Sequence, residues 1–375
     1  MVERLLSDSI KAMLYKGKII VLIGPRQVGK TSLLKKLCAT LEQPFLWMNA
    51  DEPDIRSLLE NPTSSELENI IGTNKLIIID EAQQIKDIGN TLKLFSDVLP
   101  HIQVIATGSS AFELRNKLNE PLTGRKQELH LLPFSIQELE QQYGKINEKR
   151  SLEHRMIYGM YPEVVTTSGK EESVLRELTN SYLYKDLLMV DGIKKASMVD
   201  KLLQALALQL GNEVSYHELG QILGGVDPST VERYIDLLEK TYVIYRLHGF
   251  SRNLRNEIKK GKKIYFWDNG IRNSLIKNFN PLALRNDKGA LWENFIISER
   301  IKHNVYNGYW CNYYFWRTHD GAEIDFIEEK NGTLNAFEFK WDNCKKNVRL
   351  PRSFAEAYPD HSFEVVDRNS YGKFV

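Results

Sequence analysis

A short segment near the amino terminus has the residue types and the spacing that bind phosphate. Residues 24–31 read Gly-Pro-Arg-Gln-Val-Gly-Lys-Thr, which satisfies the pattern G-x-x-x-x-G-K-S/T between the apolar run Ile19–Ile23 and a helical pattern. The glycines let backbone N–H groups turn toward a phosphate, and the following helix offers its positive amino end. Lys30 is placed to reach the β- and γ-phosphate oxygens, and the Thr31 hydroxyl to bind Mg²⁺. The residues predicted to bind the phosphates are Gly24, Pro25, Arg26, Gln27, Val28, Gly29, Lys30, Thr31 and Ser32.

Two carboxylates follow a second apolar run. Leu76–Ile79 precedes Asp80 and Glu81, which places both acids at the carboxyl edge of a parallel sheet, where the phosphates lie. Asp80 is predicted to hold Mg²⁺ through water, and Glu81 to polarise the water that attacks the γ-phosphate. The alternative for Asp80 and Glu81 is an ordinary acidic strand end. The alternative for residues 24–31 is a glycine-containing turn that binds nothing.

Hydroxyl groups and arginines complete the residues predicted around the phosphates. The run Gln103–Ala106 is followed by Thr107 and Ser109, each a candidate sensor of the γ-phosphate, with a polar helix cap as the alternative. Arg125, with Arg115 before it, is a candidate for the cation that stabilises transition-state charge, within one chain or from a neighbouring subunit. A solvated surface arginine is the alternative.

A second group of acidic residues lies toward the carboxyl terminus. If Asn331-Gly332 forms a two-residue hairpin turn, Asp325 lies opposite Glu338 and Glu323 opposite Lys340, all on one face of the hairpin. The predicted opposite face consists of Ile324, Phe326, Phe337 and Phe339. Opposed carboxylates repel, so this pairing requires a divalent metal such as Mg²⁺ or a nearby lysine. Glu293, in a predicted helix, is a third candidate metal ligand. The alternative is a polar face that Lys340 neutralises.

The elements that must position these residues follow from the apolar pattern. Short apolar runs alternate with amphipathic stretches as far as Leu129–Pro133, which predicts an α/β domain with a parallel sheet. Helical patterns dominate from Ser135 to Leu247, and a small α/β unit begins near Leu284. The predicted strands of the first part are Ile19–Ile23, Phe45–Met48, Leu76–Ile79 and Gln103–Ala106, with helices Ser32–Leu41 and Asn90–Leu99. The predicted domains are residues 1–150, 151–280 and 281–375.

The middle region has the order of elements found in a winged helix-turn-helix. Helical patterns at Met198–Leu210, Tyr216–Leu223 and Pro228–Lys240 precede two strand-like runs. The polar face of the third helix carries more acid than base, which disfavours its entry into a groove lined by phosphates. Basic residues lie instead in the wing segment Arg252–Lys263, a candidate nucleic-acid contact, with a solvated loop or a packing module as the alternative. They are Arg252, Arg255, Lys259, Lys260, Lys262 and Lys263.

Composition argues against several classes of protein. The 375 residues carry 50 Lys+Arg and 49 Asp+Glu, a formal charge of +1, so a polyanion has to be met by a local patch. Cys38, Cys311 and Cys344 are far apart, which argues against a zinc site or a disulfide framework and fits a reducing compartment. The apolar runs are too short to span a bilayer, and Met1–Lys18 is too polar for a signal peptide. We therefore expect a cytoplasmic protein without a membrane span.

These motifs resemble the AAA-type branch of the P-loop ATPases, in bacterial and archaeal proteins whose ATPase domain precedes a carboxyl-terminal domain of unknown function. The resemblance rests on GPRQVGKTSLLKKL, LIIIDEAQQI, ATGSSAFEL, LTGRKQELHLLPFSIQEL, KKIYFWDNGIRNSLI, ALWENFIISER and YFWRTHDGAEIDFI. It implies ATP binding and hydrolysis and a five-stranded core sheet. Glu293, Asp325 and the Glu338–Lys340 segment resemble the PD-(D/E)xK nuclease signature, which implies that the acids hold metal and that Lys340 helps to activate water.

Three functions are compatible with these features. The first is a Mg²⁺-dependent ATPase whose nucleotide state repositions the carboxyl-terminal modules. The second is an ATP-gated nuclease that acts on DNA or RNA. The third is a nucleotide switch that binds ATP or ADP, hydrolyses little ATP and binds a protein partner.

Overall fold

The structure is a computed structural model that describes residues 2–41, 43–108, 122–183, 196–251, 261–318, 320–342 and 348–375. The chain divides into two units. The first comprises Met1–Leu132 and Lys240–Tyr242, and the second comprises Pro133–Glu239 and Val243–Val375. The division in the structure falls after Leu132 and keeps the later regions in one unit. The predicted domain boundaries near residues 150 and 280 remain predictions.

A parallel five-stranded sheet forms the centre of the first unit. Its strands are β1 (Ile19–Ile23), β2 (Phe45–Asn49), β3 (Leu76–Asp80), β4 (Gln103–Gly108) and β5 (Lys126–His130). Their order is β2-β3-β4-β1-β5, and every pairing is parallel. β1, β3 and β4 are buried along their whole length, as expected for strands covered on both faces. The predicted α/β class with a parallel sheet is confirmed, and the carboxyl ends of β1, β4 and β3 lie side by side.

The helices of the first unit begin at recognisable local signals. They are α1 (Leu6–Met13), α2 (Lys30–Thr40), α3 (Pro53–Leu59), α4 (Ser64–Ile71) and α5 (Ile88–Val98). Pro53 occupies the first turn of α3, and Thr63 caps α4 through reciprocal hydrogen bonds with Glu66. Helix α2 begins two residues before the predicted Ser32, because the chain turns at Gly29 directly from the phosphate loop into the helix.

The helices that follow along the chain include the three predicted for the middle region. They are α6 (Ile136–Tyr143), α7 (Lys145–Tyr158), α8 (Pro162–Thr166), α9 (Glu171–Glu177), α10 (Ala196–Leu208), α11 (Tyr216–Ile222), α12 (Pro228–Lys240), α13 (Asn269–Leu275), α14 (Lys288–Tyr306) and α15 (Arg352–Ala357). Ser135 and Glu138 form a capping box at the start of α6.

The second unit contains one mixed sheet. Its strands are β6 (Glu213–Val214), β7 (Ile244–Gly249), β8 (Lys262–Phe266), β9 (Asn312–Arg317), β10 (Glu323–Lys330), β11 (Thr333–Lys340) and β12 (His361–Asp367). Their order is β12-β11-β10-β9-β7-β8-β6. The antiparallel hairpin β7–β8 joins the later strands through the parallel pairing of β7 with β9. The predicted wing strands and the predicted carboxyl-terminal strands therefore share one sheet.

The β10–β11 hairpin has the predicted register and one local departure from it. Phe326 pairs with Phe337, and Lys330 pairs with Thr333, as a two-residue turn requires. The pairing of β10 with β9 shifts between Ile324 and Ile327, and both isoleucines lie in one core cluster with Leu334, Ala336 and Phe354. The prediction that Ile324 shares a face with Phe337 is therefore wrong, because this irregularity interrupts the alternation of side chains.

Within the described ranges, no helix combines the length and the apolar composition needed to cross a lipid bilayer. The cytoplasmic location remains a prediction.

Candidate functional site

The phosphate loop leaves β1 at its carboxyl end and enters α2, as predicted. Its two glycines are required for different reasons. A Cβ at Gly24 would lie 2.0 Å from the carbonyl oxygen of Leu131, so only glycine lets the loop pass this close to the backbone. Gly29 has a φ of 91°, a left-handed conformation that favours glycine, and it immediately precedes α2. The loop therefore ends at the amino end of a helix, where N–H groups bind anions.

Lys30 is held inside this loop. The residue is 5% exposed, and its Nζ donates to the carbonyl oxygens of Gly24 and Pro25, each at 2.9 Å. In the same loop, the buried Oε1 of Gln27 has no hydrogen-bond partner in the part of the chain that the structure describes. A buried polar atom without a partner is unusual unless a ligand or water completes the site.

Thr31, at the start of α2, and Asp80, at the end of β3, are brought together. The Thr31 hydroxyl donates to Oδ2 of Asp80 at 3.0 Å, and the Thr107 hydroxyl donates to Oδ1 of the same carboxylate at 2.5 Å. Hydroxyl and carboxylate oxygens are the ligands that Mg²⁺ prefers. The donor set therefore fits a magnesium ion bound with a nucleotide, and Thr31 and Asp80 are the residues that would hold it.

Thr107 makes contacts that neither prediction for it included. The residue is fully buried on β4, and besides donating to Asp80 it accepts the N–H of Glu81 at 3.1 Å. Its hydroxyl therefore holds the two acids, and its action as a phosphate sensor or as a helix cap remains a prediction. Ser109, the other predicted sensor, lies outside the described residues, as does Arg115.

Glu81 lies on a tight turn directly after β3. Its φ is 53°, a left-handed value that is uncommon for glutamate. Its carboxylate Oε2 accepts a hydrogen bond from Nε2 of the buried Gln83 at 2.5 Å. The sequence analysis did not identify Gln83, since an amide two residues after an acid is too common to single out.

The sequence analysis also missed Arg4. This buried arginine donates to the carbonyl oxygen of Val28, within the phosphate loop, at 2.9 Å. It also donates to the carbonyl oxygen of Leu132 at 2.5 Å. The guanidinium therefore connects the phosphate loop to the segment that follows β5. No local pattern around Arg4 indicates this contact, because its two acceptors are 24 and 128 residues away in the sequence.

Arg125 lies at the edge of the sheet opposite the phosphate loop. Its carbonyl oxygen accepts the N–H of Ile19, the first residue of β1, and its guanidinium bonds to the carboxylate of Asp97 at 2.7 Å. The loop follows the last residue of the same strand, about 16 Å away at the usual rise per residue. The predicted action of Arg125 within one chain is therefore wrong, and an action across two chains remains a prediction.

The predicted carboxyl-terminal acids form a cluster with lysines and a tyrosine of the second unit. We use "acid cluster" for Glu293, Glu323, Asp325 and Glu338. Oε1 of Glu293 accepts a hydrogen bond from the Tyr265 hydroxyl at 2.5 Å. Oδ2 of Asp325 accepts the N–H of Phe339 at 2.8 Å, and Oε1 of Glu338 bonds to Nζ of Lys340 at 2.6 Å.

Lys263 lies among these acids, which the sequence analysis did not predict. Its side chain is 2% exposed, and its Nζ lies 2.5 Å from Oε1 of Glu323 and 3.4 Å from Oε1 of Glu293. Among the described residues, no group of three or more Asp, Glu, His or Cys side chains is arranged to hold a metal ion. The acid cluster, including the predicted ligands Glu293, Asp325 and Glu338, therefore does not fit the Mg²⁺ expected there.

Burial dominates the electrostatics of the acid cluster. It raises the pKa of Glu293 to about 7, and the charge of Asp325 contributes in the same direction. Burial also raises the pKa of Asp325 and of Glu338. Burial lowers the pKa of Lys263, but the carboxylates of Glu293 and Glu323 outweigh this effect, so its net pKa is raised. The lysine is therefore charged at neutral pH, while Glu293, Asp325 and Glu338 retain protons to higher pH than usual.

The two described members of the predicted basic segment are paired inside the unit. Lys262 bonds to Glu232 of α12 at 3.1 Å, and Lys263 is buried in the acid cluster. Arg246 of β7 bonds in the same way to Asp236 at 2.7 Å. The prediction that Lys263 faces a nucleic acid is therefore wrong. Arg252, Arg255, Lys259 and Lys260 lie outside the described residues.

Comparison with protein families divides the chain into three matched segments. Residues 16–140 match the model of a family described as an AAA domain. Residues 149–282 and 288–371 match two further models, each described as a domain of unknown function.

Several uncharacterised proteins and solved structures are also similar to this chain. Uncharacterised proteins of Mycobacterium tuberculosis and Mycobacterium bovis are each 27% identical over 373 residues, covering 96% of this chain and 80% of the relative. An uncharacterised protein of Haemophilus influenzae is 25% identical over 343 residues, covering 83% of this chain and 80% of the relative. The Walker-type ATPase of Pyrococcus abyssi is similar in structure, with a TM-score of 0.48 and 18% identity over 72% of this chain and 94% of that chain. A RuvB variant of Thermotoga maritima has a TM-score of 0.32 and 16% identity over 69% of this chain and 90% of that chain.

Proposed function

Because residues 16–140 form an AAA-type P-loop domain, we propose that this chain binds ATP with Mg²⁺ and hydrolyses it to ADP and phosphate. The observation that carries the proposal is the 3.0 Å hydrogen bond between Thr31 and Asp80. It joins the hydroxyl at the start of α2 to the acid at the end of β3, so that the two predicted magnesium ligands are already adjacent.

Each residue of the site has a defined task in this reaction. Lys30 exchanges its bonds to the Gly24 and Pro25 carbonyls for bonds to the β- and γ-phosphate oxygens. Thr31 and Asp80 would hold Mg²⁺, which would supply positive charge to offset the charge on the transferred phosphoryl group. Glu81 orients and polarises the attacking water, for which a carboxylate within one water of the γ-phosphate is required.

Two substitutions separate binding from turnover. Lys30→Ala is expected to weaken ATP binding, and Glu81→Gln to keep ATP bound while kcat falls about 10²- to 10⁴-fold, the usual contribution of such a group. Calorimetry gives the Kd for ATP, and phosphate release gives kcat. Lys36→Ala is a matched control, because this lysine lies on the same helix and makes an exposed ion pair with Glu3.

Hydrolysis that is unchanged in both site variants would contradict the proposal. ATP binding by the wild-type chain without any turnover would instead favour the nucleotide switch.

We further propose that the nucleotide state changes the arrangement of the carboxyl-terminal modules. The proposal is supported by the division of the chain into two units, only the first of which contains the phosphate loop. Exposed positions Lys93 and Glu356 can carry a pair of fluorophores after Lys93→Cys and Glu356→Cys in a chain whose native cysteines are replaced by serine. Energy transfer is expected to differ between the ATP complex of Glu81→Gln and the ADP complex. Equal transfer in both would contradict this step, because a ligand that does not distinguish two states shifts no population.

We do not extend the proposal to a nuclease. The geometry of the acid cluster does not favour it, because each of the four acids already has a hydrogen-bond or ion-pair partner within the chain. Contacts with nucleic acid or with a protein partner remain predictions from the sequence.

A further inference from the structure

The acid cluster contains a buried ammonium group between two of its carboxylates. Nζ of Lys263 lies 2.5 Å from Glu323 and 3.4 Å from Glu293. The lysine comes from β8, whereas Glu323 starts β10 and Glu293 lies in α14, so three separate elements meet at this one cation. A buried ion pair of this kind persists only where the geometry supplies partners for both charges.

The surroundings of Lys263 fix its side chain in this position. The side chain is 2% exposed, and Nζ lies 5.3 Å from the ring centroid of Phe315. The Tyr265 hydroxyl, two residues along the same strand, donates to the same Glu293 oxygen that Lys263 approaches. The ammonium and the tyrosine therefore both contact Oε1 of Glu293.

Two other described cations contact the cluster without joining Glu293 to Glu323. Lys340 bonds to Glu338 at 2.6 Å, and Arg317 lies at the outer side of Glu323, 3.9 Å from its Oε2 and 3.8 Å from Oε1 of Glu213. Lys263 is thus the cation that joins Glu293 to Glu323. A divalent metal in the cluster would need the same oxygen atoms.

We propose that Lys263 is the resident cation of the acid cluster and that its ammonium takes the position in which these carboxylates would otherwise hold a divalent metal. The cluster of the wild-type chain then recruits neither Mg²⁺ nor Mn²⁺. Removal of the ammonium leaves the partly buried carboxylates of Glu293 and Glu323 without their cation, and such a site gains affinity for a divalent ion.

Mn²⁺ binding to the full chain tests this proposal. Electron paramagnetic resonance measures this binding. All chains carry Asp80→Asn and are measured without nucleotide, so that the phosphate-loop site does not contribute. We expect Lys263→Met to bind one equivalent of Mn²⁺ with an affinity about tenfold or more above that of the same chain with Lys263. Addition of Glu293→Gln to Lys263→Met is expected to abolish that gain. Mn²⁺ is also expected to raise the melting temperature of Lys263→Met and not that of the parent.

Lys262→Met is the matched control. It removes the neighbouring lysine of the same strand, whose Nζ bonds to Glu232 outside the acid cluster, and it is expected to leave Mn²⁺ binding unchanged. A folded Lys263→Met chain that gains no Mn²⁺ affinity would overturn the proposal. So would Mn²⁺ binding by the parent chain that Glu293→Gln weakens. If Lys263→Met does not fold, the comparison of the parent chain with its Glu293→Gln variant decides alone. Equal Mn²⁺ binding by these two chains would support the proposal.

Discussion

The Glu81 carboxylate accepts a hydrogen bond of 2.5 Å from the side-chain amide of Gln83, two residues further along the same turn. Gln83 is buried, and Glu81 has a left-handed backbone conformation. The turn and the amide together fix where the carboxylate of the predicted water-polarising residue lies. We conclude that Gln83 is a positioning residue for Glu81.

Loss of this amide is expected to slow hydrolysis without weakening ATP binding. Gln83→Ala should lower kcat about tenfold, because a misplaced catalytic group loses the benefit of orientation, while the KM for ATP stays near that of the wild type. Steady-state phosphate release over a range of ATP concentrations separates the two constants. Gln84→Ala is the control, since Gln84 is adjacent and exposed. A Gln83→Ala chain with the wild-type kcat would show that the hydrogen bond has no catalytic consequence.

Thr107 connects the two acids, and its removal is expected to affect both stability and magnesium use. Thr107→Val keeps the shape of the side chain but leaves Oδ1 of Asp80 and the N–H of Glu81 without this partner. The free energy of unfolding should fall by about 1–3 kcal/mol, the cost of a buried polar group that loses its partner. Urea unfolding measures the fall, and the Mg²⁺ concentration for half-maximal hydrolysis should rise. Thr107→Ser restores the hydroxyl and should recover most of both quantities, and a Ser variant as impaired as the Val variant would contradict this role.

Arg4 is expected to support the phosphate loop from outside the motif. Arg4→Met removes the donors to the Val28 and Leu132 carbonyl oxygens, both of which are buried positions. The free energy of unfolding should fall by about 1–3 kcal/mol, and the Kd for ATP should rise because the loop loses one of its anchors. Lys11→Met is the control, because Lys11 makes an exposed ion pair with Asp8 within α1. If the two variants behave alike, Arg4 does not support the loop.

The difference between predicted and unpredicted residues lies in how far apart their partners are in the chain. Lys30, Thr31 and Asp80 belong to patterns that span a few residues and end at strands whose uniform apolar runs indicate burial. The partner of Thr107 depends on the position of β4 between β3 and β1, which no local pattern gives. For Arg125, the sequence indicates a strand but not the end of the sheet at which the arginine lies.

The contacts of Lys263 were even harder to predict from local sequence patterns. This lysine is one of several basic residues in a row, and such runs are usually solvated. Its burial depends on the pairing of β7 with β9, which places the β7–β8 hairpin in the same sheet as the acid-bearing strands. The sequence analysis required a cation for the opposed carboxylates of Asp325 and Glu338, and it named a metal or a nearby lysine. It could not name this lysine, because the residue is 60 positions before Glu323 in the printed sequence.

The titration of Glu293 is expected to make the stability of the chain depend on pH. Burial, together with the charge of Asp325, raises the pKa of Glu293 from 4.5 to about 7 in the folded chain. The folded state therefore binds this proton more tightly than the unfolded state. The stabilisation from Glu293 is complete below pH 4.5, declines as the pH rises through the interval to about 7, and is absent above it.

Glu293→Gln removes this titration, and the comparison with the wild type isolates it. The difference in unfolding free energy, variant minus wild type, should grow as the pH rises from 4.5 to 7 and then level off, with a total change of up to about 3 kcal/mol. Urea unfolding across this pH range measures it. Tyr265→Phe removes a hydrogen bond that lowers the pKa of Glu293, so it should move the wild-type transition to higher pH. A difference between Glu293→Gln and wild type that is constant across the range would show that Glu293 does not titrate there.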